Sequence, residues 1–219
     1  SKCCGGMSEE YQYCWEDTPK SYLTAVRDIA QGIASPRGKR LDLTLEAEAD
    51  RWIRSEEPAF CNTADRKVLG EVLNDYDRET QDFYRWMVEY TQDDLSALLT
   101  DKLRMDFGAI VDLVPVERGR SGRISKLKIV GTERTFTIGK ELEIRRALSK
   151  THLYSSAFVV DKVDVQEGIP QRLVIHGAGW GHGVGLCQIG AAVMGEQGYA
   201  YNDILLHYYR GAEIQEIYQ

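Results

Sequence analysis

The stretch Gly177-Ala178-Gly179-Trp180-Gly181-His182-Gly183-Val184-Gly185-Leu186-Cys187-Gln188-Ile189-Gly190-Ala191-Ala192 places six glycines within fourteen residues, around one tryptophan, one histidine and one glutamine. Glycine at this density opens backbone angles that side chains resist, and it lets a second chain or a ligand approach the main chain closely. Arg172 to Ile175 reads as a strand before it. A small-residue helical pattern follows through Met194, with Gly195 and Gly198 as stops. The unit is therefore a strand, a glycine-rich loop and a helix, and such a loop presents N–H groups and polar side chains at a helix start. Binding residues concentrate on loops held by a rigid scaffold, so Trp180, His182 and Gln188 are candidates for a functional surface. The plainer alternative is a tight turn under a packed core, with His182 hydrogen-bonded and inert.

The spacing excludes two nucleotide sites. Gly179, Gly181, Gly183 and Gly185 alternate, unlike a dinucleotide fingerprint, and no acidic residue ends a second strand about twenty residues on. No Gly-Lys-Ser/Thr is present, which argues against a phosphate-binding P-loop.

Working outward, strands and helices are interspersed. Phe83 to Tyr90 alternates as a strand. Thr91 and Asp94 resemble a capping box that opens a helix over Asp93 to Leu103. Ala109 to Glu117 and Ile124 to Val130 form a hairpin around Gly119-Arg120-Ser121-Gly122. Thr135 to Ile138 is a short strand, and Gly139 to Leu148 a helix with acids early and arginines late. Ala157 to Val165 and Gln171 to Ile175 make a second hairpin around Glu167-Gly168-Ile169-Pro170. Two further helices and a strand over Glu213 to Tyr218 complete the chain. The first forty residues read as loop and short extended pieces, with a turn at Ser35-Pro36-Arg37-Gly38. Residues 44–85 read as a mostly helical insertion. In it Leu45, Ala49, Trp52 and Ile53 share one helical face, Pro58 ends that helix, Lys67 to Leu73 forms another, and Asp75-Tyr76-Asp77 is polar and exposed. The expected class is α+β, one globular domain with an antiparallel or mixed sheet, hairpins and several packed helices.

At 219 residues, 43% hydrophobic and 28% charged, the chain fits one ordinary globular domain. No apolar run approaches the roughly 20 residues of a membrane helix, and the opening residues carry no targeting signal. A net charge of −7 argues against nucleic acid, which wants a basic face, but permits a neutral carbohydrate. The five cysteines, Cys3, Cys4, Cys14, Cys61 and Cys187, leave three readings open. These are a Cys14–Cys61 disulfide in an envelope compartment, a zinc site using Cys4, Cys14 and Cys61 with a histidine, and buried free thiols.

Residues 179–191, followed by Asp203-Ile204-Leu205-Leu206-His207-Tyr208-Tyr209-Arg210-Gly211, resemble the end of the stage II sporulation protein D (SpoIID) and amidase-enhancer LytB family. Cys4-Gly5-Gly6, then Trp15, Tyr22-Leu23 and Val26, resembles that family's glycine-glycine turn and the residues after it. Trp86-Met87-Val88-Glu89-Tyr90-Thr91 is also family-like. The resemblance implies a bacterial envelope protein, periplasmic or extracellular, whose partners are peptidoglycan glycan strands and, in enhancers, an amidase. It also implies that lytic-transglycosylase members carry their catalytic glutamate in a helical segment before the glycine-glycine turn. That position would precede Ser1, so the chain is expected to be the later part of a longer domain and inactive alone. Some relatives hold a metal near this turn, with histidine where this chain has Ser1 and Lys2.

Glycoside cleavage needs an acid for the leaving oxygen and stabilisation of an oxocarbenium-like transition state. Glu56, Glu57, Glu117 and Glu196 read as solvated surface charges, without the apolar surroundings that raise a carboxyl pKa. The chain is instead expected to supply a glycan groove. In it Trp180 stacks, His182 hydrogen-bonds a sugar or orients the acid, Gln188 binds an N-acetyl group, Tyr208 and Tyr209 close the far end, and Arg210 meets a carboxylate. Three readings from other classes remain: a non-catalytic wall-binding enhancer of an amidase, a structural assembly protein of the envelope, and an unrelated enzyme. The last would use Cys187 as nucleophile beside His182, or zinc on Cys4, Cys14 and His182.

Overall fold

The computed structural model describes residues 1–30, 41–73, 82–215 and 217. It shows an α+β fold with two antiparallel three-stranded sheets. In chain order the elements are α1 (Tyr11–Cys14), α2 (Glu46–Ile53), α3 (Arg66–Val72), β1 (Arg85–Thr91), α4 (Gln92–Leu103), β2 (Ile110–Arg118), β3 (Ile124–Gly131), β4 (Thr135–Ile138), α5 (Glu141–Ala147), β5 (Phe158–Gln166), β6 (Ile169–Ala178), α6 (Gln188–Glu196) and α7 (Tyr201–Tyr208).

The first sheet runs β1-β6-β5, so the strand that feeds the glycine loop is its central one. The β5–β6 hairpin closes through Glu167 and Gly168, both with positive φ (49° and 84°), as a two-residue turn between right-twisted strands requires. In β1, Trp86 stands opposite Gly177. The indole lies where a Gly177 side chain would be, and its Nε1 donates to the Gly179 carbonyl at 2.9 Å. The glycine thus makes room for the ring that fixes the loop's entrance. The second sheet is the meander β2-β3-β4.

The two sheets and α4 share one core, with Leu95 and Leu99 packed beside Leu127, Ile129 and Ile175. Burying such side chains is the main stabilising contribution, about 25 cal/mol per Å² of apolar surface. Thr91 caps α4: its hydroxyl accepts from the Asp94 amide at 3.1 Å and donates to the Asp94 carboxylate at 2.7 Å.

A second core lies under the glycine loop. It joins Cys3 and Cys4, Phe60 and Cys61, Leu69, Phe83, and Ile189 and Met194 of α6. The 44–85 segment is helical in α2 and α3 and supplies part of both this core and a third, where Trp52 and Ile53 meet Val159. Leu45 does not share the α2 face; it is the N-cap residue and stays exposed, while Ala49, Trp52 and Ile53 are buried. Glu213–Gln215 and Ile217 form no strand, because Ile214 and Ile217 remain exposed and bury no alternate face. The turn at residues 35–38 and the polar run at 75–77 lie outside the described residues. Among the described residues no helix is long and apolar enough to cross a membrane.

Candidate functional site

The glycine loop is ordered by its own alternation. Gly179, Gly181, Gly183 and Gly185 all take positive φ (76°, 101°, 84° and 68°), leaving the residues between them to carry the side chains. The amino-terminal segment lies along the loop. Cys3 and Trp180 exchange backbone hydrogen bonds at 3.2 and 2.7 Å, and the Glu9 amide donates to Gly183 at 3.0 Å. The Ser1 and Lys2 carbonyls accept from the Gln188 and Ile189 amides at 2.9 and 3.0 Å, satisfying donors that the α6 N-terminus would leave unpaired. Buried Arg123 braces the loop from behind. Its Nε donates to the Gly181 carbonyl at 3.1 Å, and its guanidinium fills the space a Gly183 side chain would need.

The outer face centres on His182, which is half-buried and has its ring 4.8 Å from Trp15. Trp15 in turn contacts Tyr11 and is 43% exposed. His182 Nδ1 accepts from the Val184 amide at 3.1 Å, so the neutral ring carries its proton on Nε2. Burial, with Arg123 and Arg145 nearby, lowers the His182 pKa to about 3. The imidazole is therefore neutral near pH 7. Gln188 is exposed one residue past the loop, at the start of α6. Trp180 is half-buried, wedged between Phe83 (4.8 Å) and Tyr154 (4.5 Å), with the Lys2 ammonium 5.2 Å from its ring centre. It is less open to a sugar than Trp15, whose place in the motif was visible but whose partnership with His182 was not.

Of the residues expected at the far end of the groove, Tyr208 and Arg210 differ in exposure. Tyr208 is only 1% exposed and its hydroxyl donates to Asp28 Oδ1 at 2.6 Å, so its ring is core and not a groove wall. Arg210 is exposed beyond α7. It is the neighbouring Tyr209 that reaches the loop, where a Gly185 Cβ would stand 3.2 Å from its ring.

The inner face is a buried cluster of thiols. Cys4 Sγ lies 3.6 Å from Cys61 Sγ, and the Cys4 amide donates to Cys187 Sγ at 3.2 Å. Asp28 joins them, and the ligand atoms of Cys4, Asp28, Cys61 and Cys187 all lie within 4.8 Å of one another. Asp28 Oδ2 accepts from the Cys61 amide at 2.9 Å. Burial, with Cys187 beside it, pushes the Asp28 carboxyl up to about 7. Burial opposes ionisation of Cys187, yet the thiols of Cys3, Cys4 and Cys61 and the Gly190 amide hold it well below the usual thiol range. All five cysteines are free. Cys14 is not part of this cluster: its Sγ donates to the His182 carbonyl at 3.3 Å, so it neither pairs with Cys61 nor joins the expected zinc set. Cys187 faces the other thiols and is fully buried, which removes it as a nucleophile for His182. Its place just before α6 was a readable signal for a stabilised thiolate. Asp28 had none.

The acids are largely anchors. Glu57 is buried, 3.7 Å from Arg27, against the expectation of a solvated charge. Glu117 pairs with Lys126 and Glu196 with Lys67, both at 2.6 Å, and Glu56 is exposed. Glu9, fully buried, accepts from the Arg120 amide at 2.9 Å and from the Ser121 hydroxyl at 2.6 Å. Burial raises its pKa, and hydrogen bonds from the Ser121 hydroxyl and the Glu10 amide oppose the rise. It ties the 119–122 turn to the amino-terminal segment.

Two curated relatives share parts of the chain. An uncharacterized protein of Brachyspira hyodysenteriae is 35% identical over 95 residues, 43% of this chain and 23% of the relative. Stage II sporulation protein D of Bacillus amyloliquefaciens is 55% identical over 38 residues, 17% of this chain and 11% of the relative. The matched stretches thus span less than a quarter of either relative's length. Residues 9–185, which hold Trp15, Asp28, Cys61 and His182 but stop before Cys187, match the family described as Domain of unknown function (DUF8618), and the chain belongs to that family.

Proposed function

We propose that the Trp15–His182 face binds denuded peptidoglycan glycan strands, in a bacterial envelope protein of SpoIID type that cleaves them as a lytic transglycosylase. The observation that carries this reading is the half-open histidine, neutral and in tilted ring contact with an exposed tryptophan, within a glycine loop of the SpoIID pattern. The short stretch that is 55% identical to a stage II sporulation protein D supports it. The acid is assigned to a glutamate upstream of Ser1. Ser1 itself lies beside the loop, its amino nitrogen 2.9 Å from the Leu186 carbonyl.

In the proposed reaction the acid protonates the glycosidic oxygen and the C–O bond breaks. The sugar's own 6-hydroxyl attacks the anomeric carbon, and the carboxylate takes that hydroxyl's proton. The product end is a 1,6-anhydro ring, and no water is consumed. His182, through Nε2–H, donates to a sugar oxygen or to the carboxylate. Gln188 meets an N-acetyl group and Trp15 supplies the apolar platform.

The test compares the full-length protein with residues 1–219 on purified denuded strands. The full-length protein should release anhydro-ended fragments, the 1–219 chain should bind without turnover, and His182→Ala in the full-length protein should slow release about a hundredfold. Strand cleavage by the 1–219 chain alone would overturn the assignment of the acid. Binding without cleavage by the full-length protein would favour an amidase enhancer, and no binding by either would overturn the glycan reading.

A further inference from the structure

The geometry points to a structural zinc site behind the glycine loop, with Cys4, Cys61, Cys187 and Asp28 as its four ligands. The groups come from four separate parts of the chain and converge in the core: Cys4 is 2% exposed, Cys61 1%, Cys187 0% and Asp28 1%. Their ligand atoms fall within 4.8 Å of one another. A tetrahedral zinc with bonds of about 2.3 Å to sulfur separates its sulfurs by roughly 3.8 Å. Cys4 and Cys61 stand 3.6 Å apart, close to that spacing and well beyond a sulfur–sulfur bond of about 2.05 Å.

The surroundings are those of a metal site. The Cys4 amide donates to Cys187 Sγ at 3.2 Å, the Tyr208 hydroxyl to Asp28 Oδ1 at 2.6 Å and the Cys61 amide to Asp28 Oδ2 at 2.9 Å. Hydrogen bonds of this kind orient ligands and tune their basicity. Gly190 is required here, because a side chain on it would run into the Tyr208 hydroxyl and come within 2.8 Å of both Asp28 oxygens. Thiolates select zinc over hard cations such as magnesium or calcium. A closed set of four protein ligands is the arrangement of a structural ion, with no open position for water. Cys3 lies beside the set, its Sγ 4.0 Å from the Cys61 carbonyl, and falls outside the group whose ligand atoms lie within 4.8 Å of one another. The ion would tie the amino-terminal segment, the 44–85 segment and the start of α6 together. This inference does not depend on the glycan reading, since it concerns the opposite face of the loop.

The test is elemental analysis of the 1–219 chain purified without chelator, followed by exchange of the bound metal for cobalt. About one zinc per chain is expected, and the cobalt form should show the intense d–d bands and sulfur-to-cobalt charge transfer of a tetrahedral thiolate site. Cys61→Ser and Asp28→Asn should lower metal content, while Cys14→Ser and Cys3→Ser should retain it. The unaltered protein supplies a readout that does not require any variant to fold: a mercurial that titrates its thiols should release zinc in step. A metal-free protein with a Cys4–Cys61 disulfide, or one with five reactive thiols and no cobalt spectrum, would overturn the site. So would iron with inorganic sulfide, or metal lost in Cys14→Ser and kept in Cys61→Ser.

Discussion

Trp180 to Gln188 has two faces that share one backbone. Outward, His182 and Gln188 are reachable from solvent, and His182 rests on Trp15. Inward, Cys187 is sealed with Cys4, Cys61 and Asp28, and Tyr208 closes the cluster through its bond to Asp28. Three positive-φ glycines, Gly181, Gly183 and Gly185, let these nine residues serve both faces. The outer face holds a neutral imidazole in a partly wet setting. The inner face holds thiols and a carboxylate, groups that are costly to bury unless hydrogen-bonded or bound to a cation. Changes on the inner face should therefore cost stability, and changes on the outer face should cost binding.

Gly190→Ala should have the largest effect. Its new methyl group would displace the Tyr208 hydroxyl from Asp28, combining overpacking with a broken buried hydrogen bond, and should destabilise by about 3 kcal/mol or more in urea unfolding. Gly198→Ala is the control. Unlike Gly190 it has positive φ (87°), but a Cβ there meets nothing within 4 Å, so only backbone strain of about 1 kcal/mol is expected. Equal losses in the two variants would break the contrast. Tyr208→Phe comes next, at about 1–3 kcal/mol, because it keeps the packing and leaves Asp28 with one donor fewer; a neutral result would detach Tyr208 from the inner face.

His182 gives a pH-dependent prediction. The unfolded chain takes up the imidazole proton near 6.5, whereas the folded chain resists it until about 3. Acidification through that window therefore favours unfolding, so the His182 contribution is intact above pH 6.5 and is lost as pH falls toward 3. His182→Gln should flatten the stability curve over this range and leave the pH 7 melting temperature nearly unchanged. An unchanged slope would show that the ring is solvated. Trp15→Ala should have the smallest effect on stability and weaken glycan-strand binding about fivefold, as expected for losing one aromatic platform.

The sequence made most of the fold legible because its signals were local. Thr91 and Asp94 cap α4, and Glu167-Gly168 turns β5 into β6. Alternation located β1, turn residues located the β2–β3 and β5–β6 hairpins, and the glycine loop was found by composition alone. The missed features were non-local. Tyr208 and Tyr209 are adjacent, but one enters the core and the other abuts the loop, a difference set by how α7 meets α6 and Asp28. Cys14 lies ten residues from Cys4 in sequence but points to the opposite face of the loop, where it meets the His182 carbonyl. Asp28 carries no motif at all. Its role arises only once Cys4, Cys61 and Cys187 are brought around it.

The most direct test of the outer face is chemical-shift mapping of the isotopically labelled 1–219 chain with soluble denuded glycan fragments. The account predicts saturable shifts of the Trp15 indole and the His182 ring, with smaller ones at the Gln188 side-chain amide and none at Tyr208. Shifts confined to other surfaces, or none at strand concentrations that saturate the full-length protein, would contradict it.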